Sequence, residues 1–248
     1  MPLPLSERLT MLLPPALYYR RRIAREIRTG EPELGALAQL VGRGGTAIDV
    51  GANQGFYAFA LSGIADRVVA FEPNPDYAMF ARRMLRGRVE VFEMALSDRP
   101  GRGIFYVPLA DDGSALHFAG SLKKTHLQFK ENRTYDVEVF TLDDIAQNGA
   151  ITDVRFIKVD VEGSEREVLD GAREIIARDH PLILLELLAG THPDPGAYAQ
   201  AICESFGYDA VIFQRGEKIA ALPAIAALGK NTSWGTEIES RNVLFFPR

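Results

Sequence analysis

Residues 46–55 read TAIDVGANQG: a short apolar run that ends on an acid and then breaks into a loop holding two glycines. This is the pattern of a first strand in an α/β domain, with a nucleotide-binding turn at its tip. Gly51 and Gly55 can take positive φ and let a ligand approach without meeting a Cβ. The alanine-rich stretch 56–63 suits a helix, whose free N–H groups would face that ligand. The glycine spacing narrows the choice, because a dinucleotide fingerprint needs G-x-G-x-x-G and a phosphate loop needs a Lys-Ser/Thr pair. Neither is present. Asn53 stands where a pyrophosphate loop wants its second glycine, which disfavours two phosphates and leaves room for an amino-acid-like ligand end. On the loop alone, an ordinary strand-to-helix turn would read the same way.

The second strand weighs against that plain reading. Residues 67–72, RVVAFE, form another apolar run ending on an acid, followed by Pro73, Asn74 and Pro75. Glu72 lies about 20 residues beyond Gly51, where an α/β nucleotide site places the carboxylate that accepts from ribose hydroxyls. A helix over 76–85 and a third strand over 89–92 continue the alternation, which implies a parallel sheet with right-handed crossovers. Residues 93–98, EMALSD, would then reach the nucleotide side of the pocket. Residues 103–108 and 135–142 alternate like paired antiparallel strands. The polar stretch 111–134 between them is too long for an inert connection and reads as a substrate-side lid.

Residues 154–162, VRFIKVDVE, are the second informative stretch. Phe156, Lys158 and Asp160 share one strand face, with Asp160 at the carboxyl tip, outside which ligands of open α/β sheets bind. If this strand neighbours the first, Lys158 can pair with Asp49. A helix over 164–178 follows, then the buried strand 181–187, PLILLEL, carrying Glu186. A helix over 194–206, a strand over 209–214, loop and helix over 215–241 and a final strand over 242–247 complete the chain. With no clear crossover helix before it, that last strand should enter antiparallel.

The 248 residues are 47% hydrophobic and 25% charged, with a net charge of −5, which suits one soluble domain and argues against general nucleic-acid binding. The single cysteine, Cys203, suits a reducing, cytoplasmic setting, and the four histidines show no metal spacing, so no metal site is expected. No run has the ~18 apolar residues of a membrane span. Before the first strand, Ala16, Tyr19, Ile23 and Ile27 recur at helical spacing among Arg20, Arg21, Arg22, Arg25 and Arg28. Such a helix could touch an anionic membrane. The reading taken is a helix docked on the domain with its arginines in water, dispensable for ligand binding.

Together, IDVGANQGFYA, FEPNP, ALSD, TLDD and FIKVDVEGSEREVLDGA followed by PLILLE resemble the FkbM family of S-adenosylmethionine-dependent methyltransferases over about residues 46–190. The resemblance implies a Rossmann-like class I methyltransferase fold: a seven-stranded mixed sheet of order 3-2-1-4-5-7-6, strand 7 antiparallel, with helices on both faces. Residues 1–45 would be an N-terminal helical extension, and 46–248 the catalytic domain with an inserted hairpin and lid at about 103–142. S-adenosylmethionine would be held by Asp49, Gly51, Asn53, Gly55, Glu72, Ala95, Leu96 and Asp160. Glu72 would take the ribose, and Ala95 and Leu96 would flank adenine. Asp160 and Glu162 would lie next to the transferred methyl.

The implied reaction is O-methylation of a hydroxyl on a sugar, a polyketide or a related small molecule. Methyl transfer to an alcohol needs alignment and loss of a proton. Asp160 is the candidate base, with Glu162 or Glu186 as alternatives, or it may only orient a ligand. A non-catalytic cofactor-binding or protein-interaction module on the same fold is the competing reading. A nicotinamide-dependent oxidoreductase would need the glycine spacing that is missing.

Overall fold

The computed structural model describes residues 12–29, 31–124, 131–187, 192, 194–214, 217–220 and 242–248. Helix α1 (Pro15–Thr29), a 3₁₀ turn (Pro32–Gly35) and helix α2 (Leu37–Val41) lead into the alternation β1 (Thr46–Val50), α3 (Phe56–Leu61), β2 (Arg67–Phe71), α4 (Pro75–Met84) and β3 (Glu90–Phe92). Strands β4 (Ala95–Leu96), β5 (Gly101–Pro108) and β6 (Asn132–Phe140) form a separate small sheet. The chain then returns through α5 (Leu142–Ala146), β7 (Val154–Val159), α6 (Glu165–Asp170), α7 (Arg173–Asp179), β8 (Leu182–Glu186) and α8 (Pro195–Phe206). It finishes with β9 (Tyr208–Gln214), β10 (Glu217–Ala220) and β11 (Asn242–Pro247).

The main sheet runs β10-β9-β11-β8-β7-β1-β2-β3. Without its edge strand β10 this is the expected order 3-2-1-4-5-7-6, and β11 lies antiparallel to both neighbours. Strand β10 is an eighth, hairpin-paired edge strand where loop and helix are expected from the sequence. The rest of 215–241 lies outside the described residues.

Alternation along the strands sends their side chains to two cores. One face buries Ile48, Val50, Ile157 and Ile183 under Val168, Ile175 and Ile202 of α6, α7 and α8. The opposite face buries Ala47, Ala70, Phe156 and Leu184 under Leu61 of α3 and Phe80 of α4. Tyr19 of α1 and Leu37 of α2 belong to that same core, so the segment before the first strand is packed onto the sheet. The small sheet closes over Phe105, Val107, Val137 and Val139.

The helix expected over 164–178 is broken in two at 171–172. At the break, Gly171 sits against the backbone after β4, where a Cβ would lie 2.1 Å from the Ser97 carbonyl oxygen. Gly171→Ala therefore forces two backbone segments apart. We expect a loss of about 1–3 kcal/mol, seen as a lower urea midpoint and a melting temperature lower by several degrees. An unchanged midpoint would show that this contact yields without cost.

Candidate functional site

The site is built where β1 and β7 end side by side. The Asp160 N–H donates to the Val50 carbonyl at 3.0 Å, carrying the pairing one residue beyond β7. At this approach a Cβ on Gly51 would lie 1.8 Å from the Asp160 carbonyl oxygen, and one on Gly55 would lie 2.6 Å from Leu85. Both glycines have positive φ. Their missing side chains thus make room for the protein's own packing, where the sequence reading assigns that room to a ligand.

Between them Asn53 is also left-handed, and its N–H donates to Glu72 Oε2 at 2.6 Å while Asn74 N–H donates to Glu72 Oε1 at 2.8 Å. Glu72 is 5% exposed. Burial raises its pKa to about 7 against the pull of those two N–H groups. Each carboxylate oxygen keeps a lone pair for a ligand hydroxyl. Asp49 lies beneath the loop and accepts from Ala58 N at 2.9 Å, in the first turn of α3; burial raises its pKa to about 6.

Helix α1 reaches the same loop. Tyr18 donates to Gln54 Oε1 at 2.6 Å, and Tyr19 donates to the Gln54 carbonyl at 2.7 Å. The helix read from sequence as dispensable is therefore tied to the turn it was set apart from.

Lys158 is registered opposite Asp49 as expected, but its ammonium pairs with Asp160 Oδ2 at 3.0 Å. Side chains two apart on a strand share a face, and the Asp49 carboxylate is already engaged by α3. Burial works against the Lys158 charge. Asp160, Glu31, Glu186 and Asp49 outweigh it and hold its pKa above the usual lysine range. The Glu186 pKa also rises: burial, then Asp160 and Glu162, push it well up, and Glu186 hydrogen-bonds Asp160. Ligand oxygens of Asp160, Glu162 and Glu186 lie within 4.8 Å of one another, close enough for one cation to bridge, although the sequence shows no metal motif.

Beside this trio opens a cleft of about 560 Å³, its mouth included. Gly51, Asn53, Glu72, Ala95, Leu96, Asp160 and Glu162 line it; Asp49, Gly55 and Glu186 do not. Phe71, Met94, Phe105, His117 and Leu122 also line it, none of them named singly from the sequence, although 93–98 and the lid stretch 111–134 were read as facing the pocket. The last three come from the insertion, of which residues 125–130 lie outside the described residues. No local motif marks them, because only the folding of the small sheet over the strand tips brings them there.

Glu165 holds the turn after β7. Its carboxylate accepts from Gly163 N at 3.0 Å and is bonded at 2.8 Å to His192. Within this turn Glu162 is left-handed.

The family model for the methyltransferase FkbM domain matches residues 49–209. Among curated proteins, the 2-O-methyltransferase NoeI of Sinorhizobium fredii is 31% identical over 143 residues, 53% of this chain and 58% of that protein. The hexuronic acid methyltransferase AglP of Haloferax volcanii is 31% identical over 149 residues, 58% of this chain and 56% of that protein. The matches thus span less than two thirds of either relative. The crystal structure of methyltransferase FkbM from Methylobacillus flagellatus shares the fold, with TM-score 0.55 at 18% identity over 94% of this chain and 50% of that one.

The raised acid at the β2 tip has a pH signature. With a folded pKa of about 7 against an ordinary value of 4.5, Glu72 binds more protons folded than unfolded between those values. Its contribution is therefore complete below about pH 4.5 and is lost as pH rises towards 7, with a slope of at most about 1.4 kcal/mol per unit. Glu72→Gln should flatten the fall in stability across that window in urea melts of the ligand-free protein. Parallel wild-type and variant curves would show that Glu72 titrates normally.

Proposed function

The chain belongs to the FkbM methyltransferase family, and from that premise we propose that it transfers a methyl group from S-adenosylmethionine to a hydroxyl of a sugar or related small molecule. The observation that carries the reading is Asp160, which lies in both the wall of the cleft and the carboxylate trio at the tip of β7. The names of the two relatives, one a 2-O-methyltransferase and one acting on hexuronic acid, support a sugar hydroxyl as the acceptor.

The cleft suits the cofactor. Phe71, Met94, Leu96 and Phe105 offer an apolar slot for an adenine, and Glu72 has free lone pairs for two ribose hydroxyls. The acids at the other end favour a cationic sulfonium and ammonium. When bound, S-adenosylmethionine supplies an activated methyl, so the protein's task is alignment and removal of the hydroxyl proton. Burial, then Asp160 and Glu162, push the pKa of Glu186 well up, and Glu186 shares a hydrogen bond with Asp160. Lys158 keeps a positive charge against the other side of Asp160. Asp160 is thereby held by both Lys158 and Glu186 and is the proposed base facing the cleft, with Glu162 beside it. The alternative, a non-catalytic module, predicts cofactor binding without turnover. No described helix is long and apolar enough to cross a membrane.

The test is release of S-adenosylhomocysteine from the full chain with a panel of hexoses and uronic acids. Asp160→Asn should lower turnover by roughly 10²–10⁴-fold while calorimetric cofactor affinity stays within a few-fold. Full turnover in the variant would move the base to Glu162. Binding with no turnover on any acceptor would favour the non-catalytic module.

A further inference from the structure

We infer that His117, from the insertion between β5 and β6, is a further cofactor-binding residue whose Nε2–H donates to the nucleoside half of S-adenosylmethionine. The inference rests on the function proposed above and adds a residue from outside the sheet to its cofactor site.

The insertion is anchored first to its own hairpin. Tyr106 and Ser121 exchange backbone hydrogen bonds at 2.8 and 3.0 Å, and Leu116 N–H donates to the Pro108 carbonyl at 2.8 Å. From there it spans the cleft. At one side the His117 ring packs on Tyr77, centroids 4.9 Å apart, and its Nδ1 meets Asn74 Nδ2 at 2.9 Å. At the other side the Ser121 hydroxyl donates to the Glu162 carbonyl at 2.8 Å, and Lys123 Nζ donates to the Gly163 carbonyl at 2.8 Å. The segment thus ties the tip of β2 to the turn after β7, and His117, Gly120 and Leu122 become one wall of the cleft.

The hydrogen-bond network fixes the proton on the ring. Asn74 caps α4, its Oδ1 accepting from Asp76 N at 3.1 Å, so the amide nitrogen faces His117 and donates. Nδ1 must then be the bare acceptor, which places the proton on Nε2. Burial lowers the pKa of the ring and favours this neutral form. Among the described residues Nε2–H has no protein acceptor. His117 lines the cleft, so a ligand atom there is the natural partner of this donor. Asn74, which positions the ring, also donates its N–H to Glu72, the ribose-side acid. On the proposed function the 51–55 loop, which the sequence suits to an amino-acid-like ligand end, takes the methionine. The donor therefore meets the nucleoside, whose ring nitrogens and ribose oxygens are acceptors.

Calorimetry with S-adenosylhomocysteine and with adenosine tests this on the full chain. His117→Phe keeps an aromatic ring for Tyr77 and removes the donor; it should weaken both ligands by about tenfold. His117→Gln restores an N–H at similar reach and should recover most of the loss, which a purely structural role would not require. Wild-type affinity in His117→Phe, or equal losses in Phe and Gln, overturns the inference. Should His117→Phe fail to fold, ¹⁵N-histidine spectra of the wild type decide: a His117 Nε2 signal unmoved by saturating S-adenosylhomocysteine overturns it. Wild-type protein that binds neither ligand overturns the proposed function, and this inference with it.

Discussion

One ammonium group, that of Lys158, sits 3% exposed in the middle of the sheet, and the site is arranged around it. An unpaired charge there would be prohibitive, so it is met by the Asp160 carboxylate and by the face of Tyr57, 4.6 Å away. The remaining acids cannot all be ionised beside a single cation. Burial pushes Glu31 and Glu72 up to about 7 and Asp49 to about 6, and it pushes Glu186 well up. This excess of carboxyl groups over compensating charge suits a site that receives a cationic ligand.

The frame around that charge is rigid because its parts are shared. Gly51 lets β1 and β7 touch beyond their last ladder bonds, and this fixes Asp160 relative to the 51–55 loop. Glu72 ties the loop to the tip of β2 through two backbone N–H groups. Tyr18 and Tyr19 tie it to α1. Further support comes from the fully buried Glu33, which accepts from Tyr57 at 3.1 Å and from Asn242 at the start of β11. Residues far apart in sequence thus converge under one loop, and the segment before the first strand is part of the site's foundation.

The antiparallel last strand and the cleft-lining acids Glu72 and Asp160 were legible in the residues themselves, while strand order and the place of Glu162 came through the resemblance to the family. Apolar runs ending on acids are local signals, and periodicity alone says which side chains share a face. The broken helix at Gly171 was not legible, because the break answers a backbone that approaches from β4. The partner of Lys158 was misread for a similar reason: register places Asp49 opposite, and only the competing hydrogen bond from α3 removes it.

The sequence by itself determined the α/β frame, the turn at the tip of β1 and the family, since each is carried by contiguous residues and their spacing. Tertiary structure alone decided that the glycines serve packing, that α1 braces the loop and that the insertion supplies a wall of the cleft. Those outcomes depend on contacts such as the 35 residues between Tyr19 and Gln54 or the 43 between Asn74 and His117, and no local pattern encodes which distant groups a fold will bring within hydrogen-bond reach.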